Sequence, residues 1–194
     1  STPVESAKKE KVIALIDTGA EETQNVIGRV SLIDDNLSGT NSHGNEMVNA
    51  IVSQDKNAKI LSIRALGDDG KGTISSIVAA MEYAISQNVD IINLSLYAKT
   101  NALNSVLEAE IEKADEEGIM VVGAAGNDGA DVSNYMPGSV WQAIIIGACN
   151  EEGRRYPFSN YGENVAYYVN ADSTSEAAAK FSGYLYSHSY ISIS

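Results

Sequence analysis

Apolar residues along the chain gather in five short blocks: Val12 to Ile16, Lys59 to Ala65, Val89 to Ser95, Ile119 to Ala124, and Ala143 to Ala148. Most are apolar at consecutive positions rather than at every second one, the pattern of strands covered on both faces. Between the blocks the period changes. From Thr73 to Gln87, Ile74, Ile77, Val78, Met81 and Ile85 form one helical stripe. From Ala102 to Glu117 the stripe is Leu103, Val106, Leu107, Ile111 and Ala114, with Gly118 as the stop. A further helical stretch opens at His43 and carries Met47, Val48, Ala50 and Ile51. Strands alternating with helices predict right-handed crossovers and an α/β fold of three layers, a mostly parallel central sheet flanked by helices. The polar, Gly- and Asn-rich stretches 127–138 and 150–175 are expected to be loops, and 184–194 shows no assignable pattern.

Length and composition narrow the function classes. With 194 residues, 44% hydrophobic and 20% charged, the chain suits a single domain, 1–194, with one sizeable core. No apolar run nears the roughly 20 residues that span a bilayer, so no membrane insertion is expected. No basic segment followed by an apolar run opens the chain, so no signal peptide is expected within it; one already removed leaves no trace. The net charge of −13 argues against nucleic acid and anionic membranes, which need a basic footprint. The single Cys149 excludes an intrachain disulfide and a multi-cysteine metal site; at the end of an apolar block it suits a buried thiol.

Four residues at element edges carry candidate chemistry. In a parallel sheet, functional groups gather beyond the carboxyl ends of the strands. Asp17 ends the first block as Ile-Asp-Thr-Gly, where a carboxylate is either a catalytic group or a cap. His43, in Asn-Ser-His-Gly, opens a helix, where an imidazole is either a general base or structural. Asn127 closes Gly-Ala-Ala-Gly-Asn after a buried strand; it is either a turn residue or a donor to a developing oxyanion. Ser175, in Asp-Ser-Thr-Ser-Glu-Ala-Ala-Ala, sits in the first turn of a helix, either as a cap or as a nucleophile beside free backbone N–H groups.

Taken together, in the order Asp, His, Asn, Ser on an α/β sheet, these residues resemble the subtilases, whose Asp…His…Ser order is a known template. The stretch from Ala58 to Asp128 is the most similar, and Phe158-Ser159-Asn160-Tyr161-Gly162 is similar to a motif just upstream of the family's nucleophile. The resemblance implies a serine endopeptidase with the triad Asp17, His43 and Ser175 and with Asn127 in the oxyanion hole. It implies a substrate-binding surface of Ser95, Leu96, Tyr97, Ala125 and Gly126. It also implies peptide or protein substrates, a pro-segment or inhibitor as a further partner, no cofactor, and a secreted or cell-envelope location.

The chain departs from the family pattern at several points. Ser173 stands where the family has a glycine before Thr-Ser, and Ala179 where it has a proline. Asn45 and Glu46 follow His43-Gly44 in place of Thr-His, and Tyr97-Ala98 replaces a glycine pair. Tyr135 falls at a pocket-floor glycine. The alternative these changes leave open is a catalytically impaired, subtilase-like pseudoprotease that binds or regulates a partner. The calcium loop of many subtilases is missing between Ile51 and Lys59, which implies calcium independence, with Asp34, Asp35, Asp68 and Asp69 left as weak surface sites. Glu46 and Glu176, next to the catalytic motifs, imply a preference for peptides bearing cationic residues.

Overall fold

The computed structural model describes residues 10–100 and 104–188. In chain order the strands are β1 (Ile13–Asp17), β2 (Val26–Ser31), β3 (Ile60–Arg64), β4 (Ile91–Leu94), β5 (Ala98–Lys99), β6 (Met120–Ala124), β7 (Tyr135–Met136), β8 (Ala143–Cys149) and β9 (Val165–Asn170). The helices are α1 (His43–Gln54), α2 (Ile74–Ser86), α3 (Asn104–Glu116) and α4 (Thr174–His188). Seven strands form one sheet in the order β2-β3-β1-β4-β6-β8-β9, and every pairing in it is parallel. The remaining two, β5 and β7, form a small antiparallel ribbon. No described helix is long and apolar enough to cross a membrane.

The five apolar blocks are the inner strands, and the reason for their continuous pattern is visible in β1. Ala14 and Ile16 face a core shared with Ile77, Met81 and Ile111 of α2 and α3. Ile13 and Leu15 face the opposite core, shared with Met47 and Ile51 of α1 and Ala177 to Ala179 of α4. Each side of the sheet is therefore dry. The edge strands are different. In β9 the residues from Ala166 to Tyr168 are exposed, and in β2 most positions are half-buried.

Three expectations need correction here. The stretch 127–138 is not all loop, since it contains β7, a two-residue strand defined by its pairing with β5 rather than by an apolar run. The stretch 150–175 is not all loop, since it contains β9; as an edge strand with a wet face, β9 lacks the apolar run that marked the others. The patternless tail begins inside a helix, because α4 runs on to His188; the rest of the tail, like Ala102 and Leu103 of the expected second stripe, lies outside the described residues.

A buried polar chain fixes α4 against the sheet. Ser182 Oγ donates to Asn93 Oδ1 (2.9 Å), Asn93 Nδ2 donates to Ser95 Oγ (2.8 Å), and Ser95 Oγ donates to the Ser175 carbonyl (2.7 Å). Asn93 and Ser182 have no solvent exposure, so breaking this chain strands buried polar groups. Asn93→Ala is expected to cost about 1–3 kcal/mol of stability. Thermal denaturation checks this, and an unchanged melting temperature would show that the chain carries no such weight.

Candidate active site

The carboxyl ends of β1, β4 and β6 and the first residues of α1 and α4 converge on one edge of the sheet. Asp17 is the last residue of β1, its side chain only 1% exposed, and its Oδ1 accepts the Thr18 N–H at 2.7 Å. His43 is the first residue of α1, and its Nδ1 lies 2.8 and 3.0 Å from the two Asp17 oxygens. A carboxylate only accepts, so Nδ1 carries the shared proton and Nε2 keeps its lone pair.

The glycine after His43 makes this approach possible. A Cβ on Gly44 would lie 1.9 Å from the Gly19 carbonyl oxygen, so only glycine lets the first turn of α1 close onto the loop after β1. Gly44 N–H and Thr18 Oγ1 complete the junction at 3.0 Å.

One positioning residue has only a weak mark in the sequence. Arg64, paired with Asp17 across β1 and β3, is 2% exposed and donates through Nη1 to the Thr18 carbonyl at 2.5 Å. Its other donors reach Asp34 (Nε 3.3 Å, Nη2 3.1 Å) and Asp68 (Nη2 3.1 Å). Hydrogen bonding to Arg64 holds the Asp34 carboxyl below its usual range, and the Thr40 N–H does the same for Asp68. These two carboxylates are thus the counterions of a buried guanidinium. The signal was a lone arginine inside the block from Lys59 to Ala65.

Ser175 occupies the second position of α4 and is 8% exposed. Its Oγ donates to the Ser95 carbonyl at 3.1 Å and makes no hydrogen bond to His43 in this arrangement. Both side chains line one cleft of about 280 Å³, together with Thr18, Asn41, Leu96 and Tyr97. Asn127 sits on the other side of Thr174. Its Oδ1 accepts from the Thr174 N–H (3.0 Å) and Oγ1 (2.9 Å), while its NH₂ has no hydrogen-bond partner among the described residues. The carboxamide is therefore oriented by its oxygen, with its donors left open.

Of the expected substrate-binding residues, Ser95 lines the cleft with its carbonyl and hydroxyl both engaged by Ser175, and the other four divide into two kinds. Leu96 and Tyr97 line the cleft, and their main-chain groups form no hydrogen bonds among the described residues, as an added strand would require. Ala125 and Gly126 are already committed. Ala125 N–H donates to the Ile146 carbonyl (2.9 Å) and its carbonyl accepts from Asn160 Nδ2 (2.9 Å). Gly126 N–H donates to Thr174 Oγ1 (3.1 Å) and its carbonyl accepts from the Asn160 N–H (2.9 Å). These two residues offer a wall rather than an edge. The fully buried Asn160, whose Oδ1 also accepts from the Asp128 and Ala130 N–H groups, holds that wall in place.

Electrostatics at the site follow from these contacts. The hydrogen bond to Asp17 raises the His43 pKa above its ordinary 6.5; burial opposes this, and the charges of Asp17 and Glu46 add to it. The pair therefore contributes stability that is full below the unfolded value and is lost as pH rises through the folded one. Beside His43 a second groove of about 740 Å³ opens between α1 and α4, lined by Glu46, Asp172, Glu176 and Lys180 among others. Glu176 is paired with Lys180 at 2.8 Å, and Glu46 accepts from Ser42 Oγ at 2.6 Å. Much of the Glu176 charge is answered inside the protein.

A model of the subtilase family matches residues 8–188. The thermostable alkaline protease of Halalkalibacterium halodurans is 30% identical over 178 residues, covering 84% of this chain and 48% of that protein. The thermophilic serine proteinase of Bacillus sp. (strain AK1) is 33% identical over 167 residues, covering 77% of this chain and 41% of its own. The chain thus spans about half the length of these relatives. Subtilisin BL of Lederbergia lenta is 30% identical, over 84% of this chain and 65% of its own. The solved structure of a cold adapted subtilisin-like serine proteinase superposes with a TM-score of 0.82 at 23% identity, covering 91% of this chain and 76% of that one.

Proposed function

The chain belongs to the subtilase family, and from that premise we propose that it is a serine endopeptidase whose nucleophile is Ser175, general base His43 and orienting carboxylate Asp17. The observation that carries the proposal is the two-oxygen contact of Asp17 with His43 Nδ1, which leaves Nε2 as the basic nitrogen of a residue that lines one cleft with Ser175.

Ser175 Oγ first leaves the Ser95 carbonyl by rotation about its Cα–Cβ bond. Catalytic hydrogen bonds are often unmade until substrate is present. Nε2 takes the hydroxyl proton as Oγ bonds to the scissile carbonyl carbon, and Asp17 steadies the imidazolium. The carbonyl oxygen, now an anion, accepts from Asn127 Nδ2 and the Ser175 N–H at the start of α4. His43 returns the proton to the departing amine, and water then hydrolyses the ester by the same steps. The substrate is a peptide or protein lying along Leu96 and Tyr97 as an added strand.

The base must be neutral to work, so activity requires the form that the Asp17 contact disfavours. Turnover of a peptide amide is expected to fall as pH drops through a single limb lying above 6.5, the ordinary histidine value. A pH profile of kcat/KM checks the sign. A limb at or below 6.5 would mean that the Asp17 contact does not control the base.

A further inference from the structure

Beneath Ser175 the two central strands part. β4 continues as Ser95 to Tyr97, and β6 continues as Ala125 and Gly126. The start of α4 straddles this fork: the Ser175 carbonyl is tied to Ser95 Oγ at 2.7 Å and Thr174 Oγ1 to the Gly126 N–H at 3.1 Å. Because the start of α4 is tied to both arms, a side chain borne on the carbonyl that Ser175 attacks has the space between them to enter.

Tyr97 crosses that gap. Its ring carbon Cδ2 lies 2.9 Å from where a Cβ on Gly126 would be, so the ring rests on the bare backbone of the other arm. Gly126 has φ +105°, a conformation that favours glycine, so the platform under the ring is itself constrained. The Tyr97 hydroxyl donates to Asp128 Oδ1 at 3.4 Å. The hydroxyl of Tyr135, a residue only 3% exposed, donates to Oδ2 of the same carboxylate at 2.8 Å. The two rings meet with centroids 6.0 Å apart. One carboxylate thus latches both phenols, and the ring spans the fork from arm to arm.

We propose that Tyr97, held on Gly126 and latched through Asp128 to Tyr135, closes the recess beside Ser175 and restricts the residue contributing the scissile carbonyl to small side chains such as glycine and alanine. This rests on the reading of Ser175 as the nucleophile. Larger residues have to displace the ring from Gly126 and break its contact with Asp128, a differential cost that falls on kcat/KM.

The test uses peptidyl diphenyl phosphonates that differ only in the side chain next to phosphorus, methyl or benzyl. Ser175 Oγ bonds to phosphorus, one phenoxide leaves, and the serine proton passes to His43, so the labelling rate reports recess size without turnover. The methyl probe is expected to label the unmodified protein on the order of 10²-fold faster than the benzyl probe. Tyr97→Gly is expected to shrink that ratio at least tenfold, and Tyr97→Ala provides the same reading if the glycine variant folds poorly. Tyr97→Phe, which keeps the ring and loses only the hydroxyl, is expected to keep most of the preference. Equal labelling by both probes, or a ratio unmoved in Tyr97→Gly and Tyr97→Ala, overturns the proposal while leaving Ser175 as nucleophile. Failure of both probes to label Ser175 in every form overturns the nucleophile reading and this proposal with it.

Discussion

Ser175→Ala is expected to lower peptide turnover by about 10⁶-fold, a magnitude taken from the corresponding serine of subtilisin, itself a subtilase, rather than from the geometry. The variant is expected to fold normally. Ser175 Oγ makes one hydrogen bond, to the Ser95 carbonyl, so its removal costs about 1–3 kcal/mol of stability. The buried chain through Asn93 and Ser182 engages the Ser175 main chain and survives the substitution. A cooperative thermal transition, lowered by no more than that cost, with turnover at background is the expected pair of results. Retention of more than a few per cent of activity would place the nucleophile elsewhere.

Asp17→Asn is expected to cost on the order of 10⁴-fold in turnover, again a magnitude known for triads of this kind. The physical cause is the tautomer. An asparagine NH₂ facing Nδ1 invites that nitrogen to accept, which moves the ring proton to Nε2 and removes the lone pair that the serine proton needs. The substitution also removes the hydrogen bond that leads the rise in the His43 pKa. Whatever activity remains is therefore expected to show its acidic limb at lower pH than in the unmodified protein. A profile that loses amplitude without moving would argue that Asp17 acts only by holding the ring in place.

How far the sequence foretold this arrangement depends on the kind of signal. The inner strands were legible because two dry faces leave consecutive apolar residues, as in Ile13 to Ile16. The edge strand β9 was not, because Ala166, Tyr167 and Tyr168 are exposed and its period is broken. Asp17, His43, Asn127 and Ser175 were singled out by their places at element boundaries, although each by itself fitted a cap or a turn. Their convergence is a tertiary fact, made by the parallel order of the sheet and by Gly44, which lets α1 close onto the loop after β1. Two features lay beyond any local pattern. One is the engagement of Asp34 and Asp68 by Arg64, which joins residues far apart in sequence. The other is the commitment of the Ala125 and Gly126 main chain to Asn160, Ile146 and Thr174, which makes these two residues a wall rather than a free edge.

The central claim is that Ser175 is a base-activated nucleophile, and covalent labelling by a small fluorophosphonate tests it most directly. The folded protein at pH 8 is incubated with the reagent and the modified residue is located by peptide mass spectrometry. Modification is expected at Ser175 alone, with Ser173, Ser182 and Ser187 silent, and with His43→Ala suppressing the reaction because an unassisted serine hydroxyl is a poor nucleophile. A well-folded sample that is not labelled at Ser175, or one labelled equally with and without His43, would contradict the account.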